Sequence, residues 1–294
     1  MTNRKYTATS STTYRFSING QEKDVELNEN ITTALYWEYD SRIGRRWNID
    51  PKPLIGLSEY ACFGDNPILY EDVKGDFSIP NHKKITRDAL SNLKISNAAI
   101  IRKLVNGNAN TDYFRFFYKL HFDQQVGKTN IDNYWEKFNQ RFDKAKGLNR
   151  AFGAALHTAQ DFYSHSNYAE LHVEYYKKNG GDISKLKASD VPLYNDAGTT
   201  KSGTAKETFG EFLASKGDAF RTGDFKLSDP VNGTEFAKAH PNSHAAINKD
   251  SKDTERGKET VGGKDNTLTY NELAENLATR ETESRITKKL TTKK

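Results

Sequence analysis

GAALHTAQDFYSHSNYAEL, residues 153–171, is the stretch from which the rest of this chain is read. His157, Asp161 and His165 stand at i, i+4 and i+8. On a helix of 3.6 residues per turn that spacing lines three side chains along one stripe. Gly153, Ala154 and Ala155 are small enough for a second helix to approach, while Phe152, Leu156, Phe162 and Tyr163 supply apolar walls. Imidazole and carboxylate are the donor set that zinc takes. From i to i+8 the stripe runs about 12 Å along the axis, too far for one ion. It suits a cluster, with Asp161 placed to bridge two ions. A plainer reading stays open: a lone His on a helix is commonly a hydrogen-bonded structural residue, and an i,i+4 His/Asp pair is commonly helix support. Buried among apolar walls, however, imidazoles need partners, and a metal satisfies several at once.

Working outward, the surroundings are helical. IDNYWEKFNQRFDKAKGLNRAFGAALHTAQDFYSHS (131–166) reads as one or two long amphipathic helices. HKKITRDALSNLKISNAAIIRKLV (82–105) repeats apolar residues every three or four positions, TDYFRFFYKLHF (111–122) fits helix or strand, and 267–290 reads as a last amphipathic helix. Gly, Ser, Thr and Asp dominate 181–235, which predicts a long excursion with one short helix near 206–216. The first third differs. Residues 14–27 hold two short extended runs about Asn19-Gly20, a hairpin signal, and 35–75 predicts short strands and turns. The fold class is therefore mainly α, with a small β- and turn-rich segment at 1–76 and a helical domain at 77–294.

All seven histidines lie after residue 81. His82 opens a predicted helix; His121 precedes Asp123, with Asp112 upstream; His240 and His244 lie four apart before Asp250. Taken singly, each is more simply a solvated residue. His172, in HVEYYKK, reads as a surface residue of an exposed helix. The chain has 294 residues, one cysteine and a formal charge of +5. Its mean hydropathy is −0.84. One cysteine excludes an internal disulfide framework and a cysteine-rich zinc module. No apolar run nears the roughly 20 residues of a membrane helix. The opening MTNRKYTATSSTT lacks the apolar core of a secretory signal. The mild positive charge does not call for nucleic acid.

Two resemblances sharpen this reading. NGQEKD (19–24), YWEYDSRIGRRWNIDP (36–51) and GLSEYACFGDNPILYEDVKGD (56–76) resemble the end of the Rhs repeat-associated core, with Val73 where that family usually has proline. The resemblance implies a polymorphic toxin effector, delivered into target cells by a specialised secretion system in competition between bacteria, whose variable module starts near residue 77. Residues 153–171 in turn resemble the LHTxQDFYxHSNWxEL signature of Het-C-like proteins, and SHAAINKDS (243–251) resembles their SHAGLNKDS motif. Those proteins look like relatives of the zinc-dependent phospholipases C and the single-strand-specific zinc nucleases, all-α enzymes with a zinc cluster. The resemblance implies zinc, two or three ions, held by His82, Asp112, His121, His157, Asp161, His165 and His244, with Asp161 bridging. Asp250 or Glu170 stands in for the glutamate that follows the last histidine in the phospholipases. Asp123 neighbours a ligand and reads as an orienter or base, so Asp161 and Asp123 are the candidate catalytic pair.

The expected function is a secreted hydrolase of phospholipid phosphodiester bonds, with a target-cell membrane and a cognate immunity protein as partners and no stable nucleic-acid partner. Two alternatives stand beside it: a zinc nuclease of the same fold, and a membrane-perturbing toxin whose metal is structural only.

Overall fold

The structure, a computed structural model, describes residues 22–24, 30–34, 37–49, 58–62, 81–111, 121–224 and 234–292. The fold is mainly helical, and the chain divides into two compact units, Met1–Ile79 and Pro80–Lys294.

In the first unit the described strands are β1 (Glu22–Lys23), β2 (Ile31–Ala34), β3 (Trp37–Asp40) and β4 (Arg45–Arg46), an antiparallel sheet in the order β1-β2-β3-β4. Register pairs Thr32 with Tyr39 and Tyr39 with Arg46. The β3–β4 corner is tight because Asp40 accepts hydrogen bonds from the backbone and guanidinium of Arg42, and Gly44 takes a φ of 66°, a left-handed angle that glycine adopts without penalty. Arg42 holds the Asp40 carboxyl down at about 2. The hairpin turn expected at Asn19-Gly20 lies outside the described residues.

In the second unit the described helices are α1 (Asn81–Asn92), α2 (Ala98–Thr111), α3 (Lys128–Lys144), α4 (Arg150–His165), α5 (Tyr168–Lys178), α6 (Phe209–Ser215), α7 (Thr234–Ala239), α8 (His244–Ile247) and α9 (Tyr270–Thr291). The stretch 82–105 is two helices, separated where Lys94 adopts a φ of 55°, and 131–166 is two helices, separated where Gly147 adopts 77°. Asn149 starts α4 by accepting the amide of Phe152, which satisfies one of the donors a helix start leaves open. Between α5 and α6 the chain makes three 3-10 turns, Ile183–Lys185, Ala188–Asp190 and Tyr194–Asp196.

α4 is the central element. Thirteen of its sixteen residues are buried, which only a helix packed on nearly every side allows. It lies against α2, α9, α1 and α3. Phe162, with no exposure, meets Phe122, Trp135, Tyr168 and Tyr194 at centroid distances of 5.0, 4.9, 5.4 and 4.9 Å. Burying one such ring stabilises by about 1.5–3 kcal/mol, so the residue beside Asp161 is a principal anchor of the fold. On the α9 side, Glu281 accepts from Tyr163 at 3.0 Å and from Arg285 at 2.6 Å.

One surface assignment is corrected. His172 is fully buried, 4.9 Å from Phe209 and 6.3 Å from Tyr176, and neither ring nitrogen has a hydrogen-bond partner among the described residues. Burial pushes its pKa down to about 4, so it sits in the core as a neutral ring.

Contact between α2 and α4 depends on glycine. A Cβ on Gly153 would stand 2.3 Å from the carbonyl oxygen of Leu104, and one on Gly107 would stand 2.2 Å from that of Arg150. Gly153→Ala therefore lowers stability by about 1–3 kcal/mol, the usual penalty of overpacking. Urea unfolding measures this, and an unchanged midpoint would show that the two backbones do not approach as described.

Candidate metal centre

The stripe on α4 is buried along its length: His157 and Asp161 have no exposure and His165 has 4%. Around Asp161 the other elements deliver their imidazoles. His82, near the start of α1, places Nε2 at 3.1 Å from Asp161 Oδ1. His157 Nε2 lies 3.0 Å from Asp161 Oδ2 and His121 Nδ1 lies 3.1 Å from the same oxygen. The ligand-type atoms of His82, His157 and Asp161 all fall within 4.8 Å of one another.

One turn further along, Asp123, His165 and His244 form a second such group, again within 4.8 Å. His244 Nδ1 is 3.2 Å from Asp123 Oδ1, and His165 Nε2 is 3.0 Å from Asp250 Oδ2. The two groups meet at Asp161, whose Oδ1 is 4.0 Å from His165 Nδ1. Asp161 is thus the carboxylate of the first group that lies nearest the second.

The segment holding His121 and Asp123 is bent to fit. Phe122 between them has a φ of 54°, a conformation that costs a residue other than glycine about 1–3 kcal/mol. The bend sends the Phe122 ring into the core, 4.6 Å from Tyr134, while both flanking side chains stay in the site. Backbone bonds from Gln124 to Gly223, from Thr222 to Gln125, and from Gly223 to His165 tie this segment to the end of α4. Next, His244 donates its amide to Asp224, and Gly223 passes so close that a Cβ there would lie 2.7 Å from the His244 Cα. Ser243 caps α8 through Ala246.

Lys249 finishes the arrangement. Fully buried, it donates from Nζ to the carbonyls of Ser166 and Ile247 at 2.6 and 2.9 Å, and to Glu170 at 3.2 Å. Those bonds fasten 247–250 to the α4–α5 junction and leave Asp250 facing His165. Glu170 therefore pairs with Lys249 and Asp250 belongs to the site. His240 lies outside it, exposed and stacked at 4.2 Å on Phe236. Asp123, read from the sequence as the neighbour of a ligand, stands inside the second group. Asp112 lies outside the described residues, as do Tyr113, Phe114, Phe116 and Phe117.

Charge decides what such a site can hold. Burial raises the Asp161 carboxyl, but His157, His165 and His82 outweigh it and hold the group well below the ordinary carboxylate range. Burial likewise lowers His165, while Asp250, Asp161 and Asp123 overcome it and raise the ring to about 10. Asp250 is shifted down, its burial outweighed chiefly by His165. The raised His165 ring reflects the three carboxylates that face it, which favour positive charge at that end of the pocket. Asp161 Oδ1, His165 Nδ1 and Asp250 Oδ1 are buried without a hydrogen-bond partner among the described residues, a state that costs free energy unless something fills it. Imidazole nitrogen and carboxylate oxygen suit zinc, and the residues present fit two ions.

With no ion bound, a proton on His165 brings positive charge to the pocket. Its folded value of about 10 exceeds the ordinary 6.5, so its stabilising contribution is complete below 6.5 and is lost as pH rises toward 10. Thermal melting of chelator-treated protein should fall across that window, and excess zinc should flatten the fall because binding the metal releases the proton. Identical slopes with and without zinc would count against a shared site. Comparison with models of protein families, with curated proteins and with solved structures returns no match for this chain.

Proposed function

We propose that the second unit is a zinc-dependent phosphodiesterase of the phospholipase C-like all-α class, acting on phospholipid headgroups. The observation that carries this reading is the juxtaposition of two buried ligand-type groups, His82, His157 and Asp161 beside Asp123, His165 and His244, with Asp161 Oδ1 4.0 Å from His165 Nδ1. His82, His157 and Asp161, with His121 beside them, would hold one ion; Asp123, His165 and His244, with Asp250 beside them, would hold a second. Zinc when bound supplies Lewis acidity toward phosphate oxygens and makes water a stronger acid.

The chain's own part is to fix positions and control solvent. Asp161 sets the separation of the two groups through the helix on which it sits. Phe162 and Tyr163, unexposed beside Asp161 on the same helix, anchor that helix in the core. Asp250, whose side chain is 31% exposed, marks the face from which a phosphodiester enters. Choice of a lipid substrate is supported by the resemblance of 153–171 and 243–251 to the Het-C-like motifs. The Rhs-like segments at 19–24, 36–51 and 56–76 support delivery of the unit as a toxin, which implies a cognate immunity protein in the producing cell. No helix among the described residues is long and apolar enough to cross a membrane.

Elemental analysis of the purified chain should find two zinc ions, with Asp161→Ala losing metal from both groups. On liposomes of phosphatidylcholine and phosphatidylethanolamine, wild type should release phosphorylated headgroups. Asp161→Ala should fall by about 10³-fold or more, several kcal/mol of transition-state stabilisation. Absence of bound metal would overturn the reading altogether. Nucleotide release from single-stranded DNA without headgroup release would move the substrate to nucleic acid, and an Asp161→Ala chain still fully toxic would leave the metal structural.

A further inference from the structure

Behind the first imidazole group lies a set of buried amides and hydroxyls that neither the sequence stripe nor the resemblances indicate. His157 Nδ1 faces Asn108 Oδ1 at 3.2 Å. His82 Nδ1 faces Gln160 Oε1 at 3.0 Å. The two amides touch each other, Asn108 Nδ2 donating to Gln160 Oε1 at 3.0 Å, and both donate to Thr86 Oγ1, at 2.9 and 3.1 Å. The second hydrogen of Gln160 Nε2 goes to Thr282 Oγ1 at 3.0 Å. Both hydroxyls spend their single proton on a carbonyl one helical turn back, Thr86 on His82 and Thr282 on Ala278, each at 2.8 Å. Asn108, Gln160, Thr86 and Thr282 are all buried, at 0% exposure.

The direction of this network is fixed by counting protons. With both threonine protons committed to the helices, each Oγ1 can only accept. Each amide must therefore turn its NH2 toward the threonines and its oxygen toward a histidine. Reversing one amide alone sets like atoms of Asn108 and Gln160 face to face. Reversing both leaves Thr86, with one proton, facing three acceptors: the two amide oxygens and the His82 carbonyl. Only the arrangement described satisfies every group, and a buried polar group left unsatisfied costs about 1–3 kcal/mol.

We infer that Asn108, Gln160, Thr86 and Thr282 are a positioning network that fixes His82 and His157 as the Nδ1–H tautomers, leaving both Nε2 lone pairs for a divalent cation. This inference rests on the metal reading above. Each amide oxygen accepts a hydrogen bond from a histidine Nδ1–H, so the protonated nitrogens of both rings point away from Asp161. Both Nε2 atoms then face the Asp161 carboxylate, at 3.1 and 3.0 Å, and His157 Nε2 also lies 3.1 Å from His121 Nδ1. The neutral Nδ1–H tautomer is the form in which Nε2 can act as a metal ligand. The network also aims the rings: its anchors sit on α1, α2, α4 and α9, so four helices must be in register before either imidazole points correctly. Partners of this kind typically hold 10–100-fold in metal affinity.

The test uses the full chain with 15N-labelled histidine. Zinc content comes first: a chain that binds no zinc removes the metal reading itself, a result separate from the network. In the zinc-loaded chain, long-range 1H–15N correlations should place the ring proton of His82 and of His157 on Nδ1, with signals assigned by single His→Gln variants. A proton on Nε2 of either ring, with zinc bound, overturns the inference, and this measurement needs no change to the network. Asn108→Leu should weaken zinc about 10–100-fold, read by competition with a chromogenic chelator. Thr86→Val should weaken it as well, while Thr86→Ser, which keeps the hydroxyl, should stay close to wild type. A network that only stabilises the fold would lower the melting temperature of Thr86→Val and leave the zinc affinity of the folded chain unchanged, and that result also overturns the inference.

Discussion

A carboxylate with no exposure and three imidazoles within about hydrogen-bond reach is the constraint on which this structure turns. Taking the charge of Asp161 out of water costs several kcal/mol unless positive charge accompanies it. The groups that meet the Asp161 oxygens at 3.0–3.1 Å are His82, His121 and His157, which arrive from α1, from the 121–123 segment and from α4 itself. The helical body is arranged so that these contributions converge, and the convergence is what distinguishes it from an ordinary bundle.

Several local features exist for that convergence and have no other evident purpose. Phe122 takes a left-handed backbone angle so that its neighbours share a site while its ring enters the core. Gly223 permits a backbone approach to His244 that no side chain would allow. Lys249, a cation with no access to solvent, ends on two carbonyls and a carboxylate, and its bonds hold the segment that carries His244 and Asp250. A buried lysine is tolerated only when its protons are satisfied in this way, so its presence records how firmly that segment has to be held.

The periodicity of 153–171 made α4 and its stripe legible, because i, i+4 and i+8 on a helix can only share a face. The helical character of 82–105, 131–166 and 267–290 was equally plain. Breaks inside those runs were not: Lys94 at a positive φ carries no strong sequence mark, and Gly147 reads as one glycine among many. His172 reads as a surface residue from the charges that follow it, although its helical phase places it inside. Tyr168, His172 and Tyr175 stand at i, i+4 and i+7, one face of α5, and all three are buried; the charged residues that follow drew attention to the other face. The place of Asp123 depends on the bend at Phe122, which composition does not announce. Nothing about Asn108 in isolation marks it, since its role follows entirely from what α1, α4 and α9 bring beside it.

The burial of α4 on nearly every side has a consequence for how this protein can change. In most enzymes chemistry sits on loops that diverge while a separate scaffold stays constant. Here thirteen of sixteen positions on a single helix are interior, and core packing alternates along it with ligand-type side chains. A drift that repacks Phe162 moves Asp161, and a drift that alters Gly153 moves His157 one turn away. Scaffold and candidate site therefore share one mutational fate, and variation among descendants of this sequence should collect on the surface rather than in the interior.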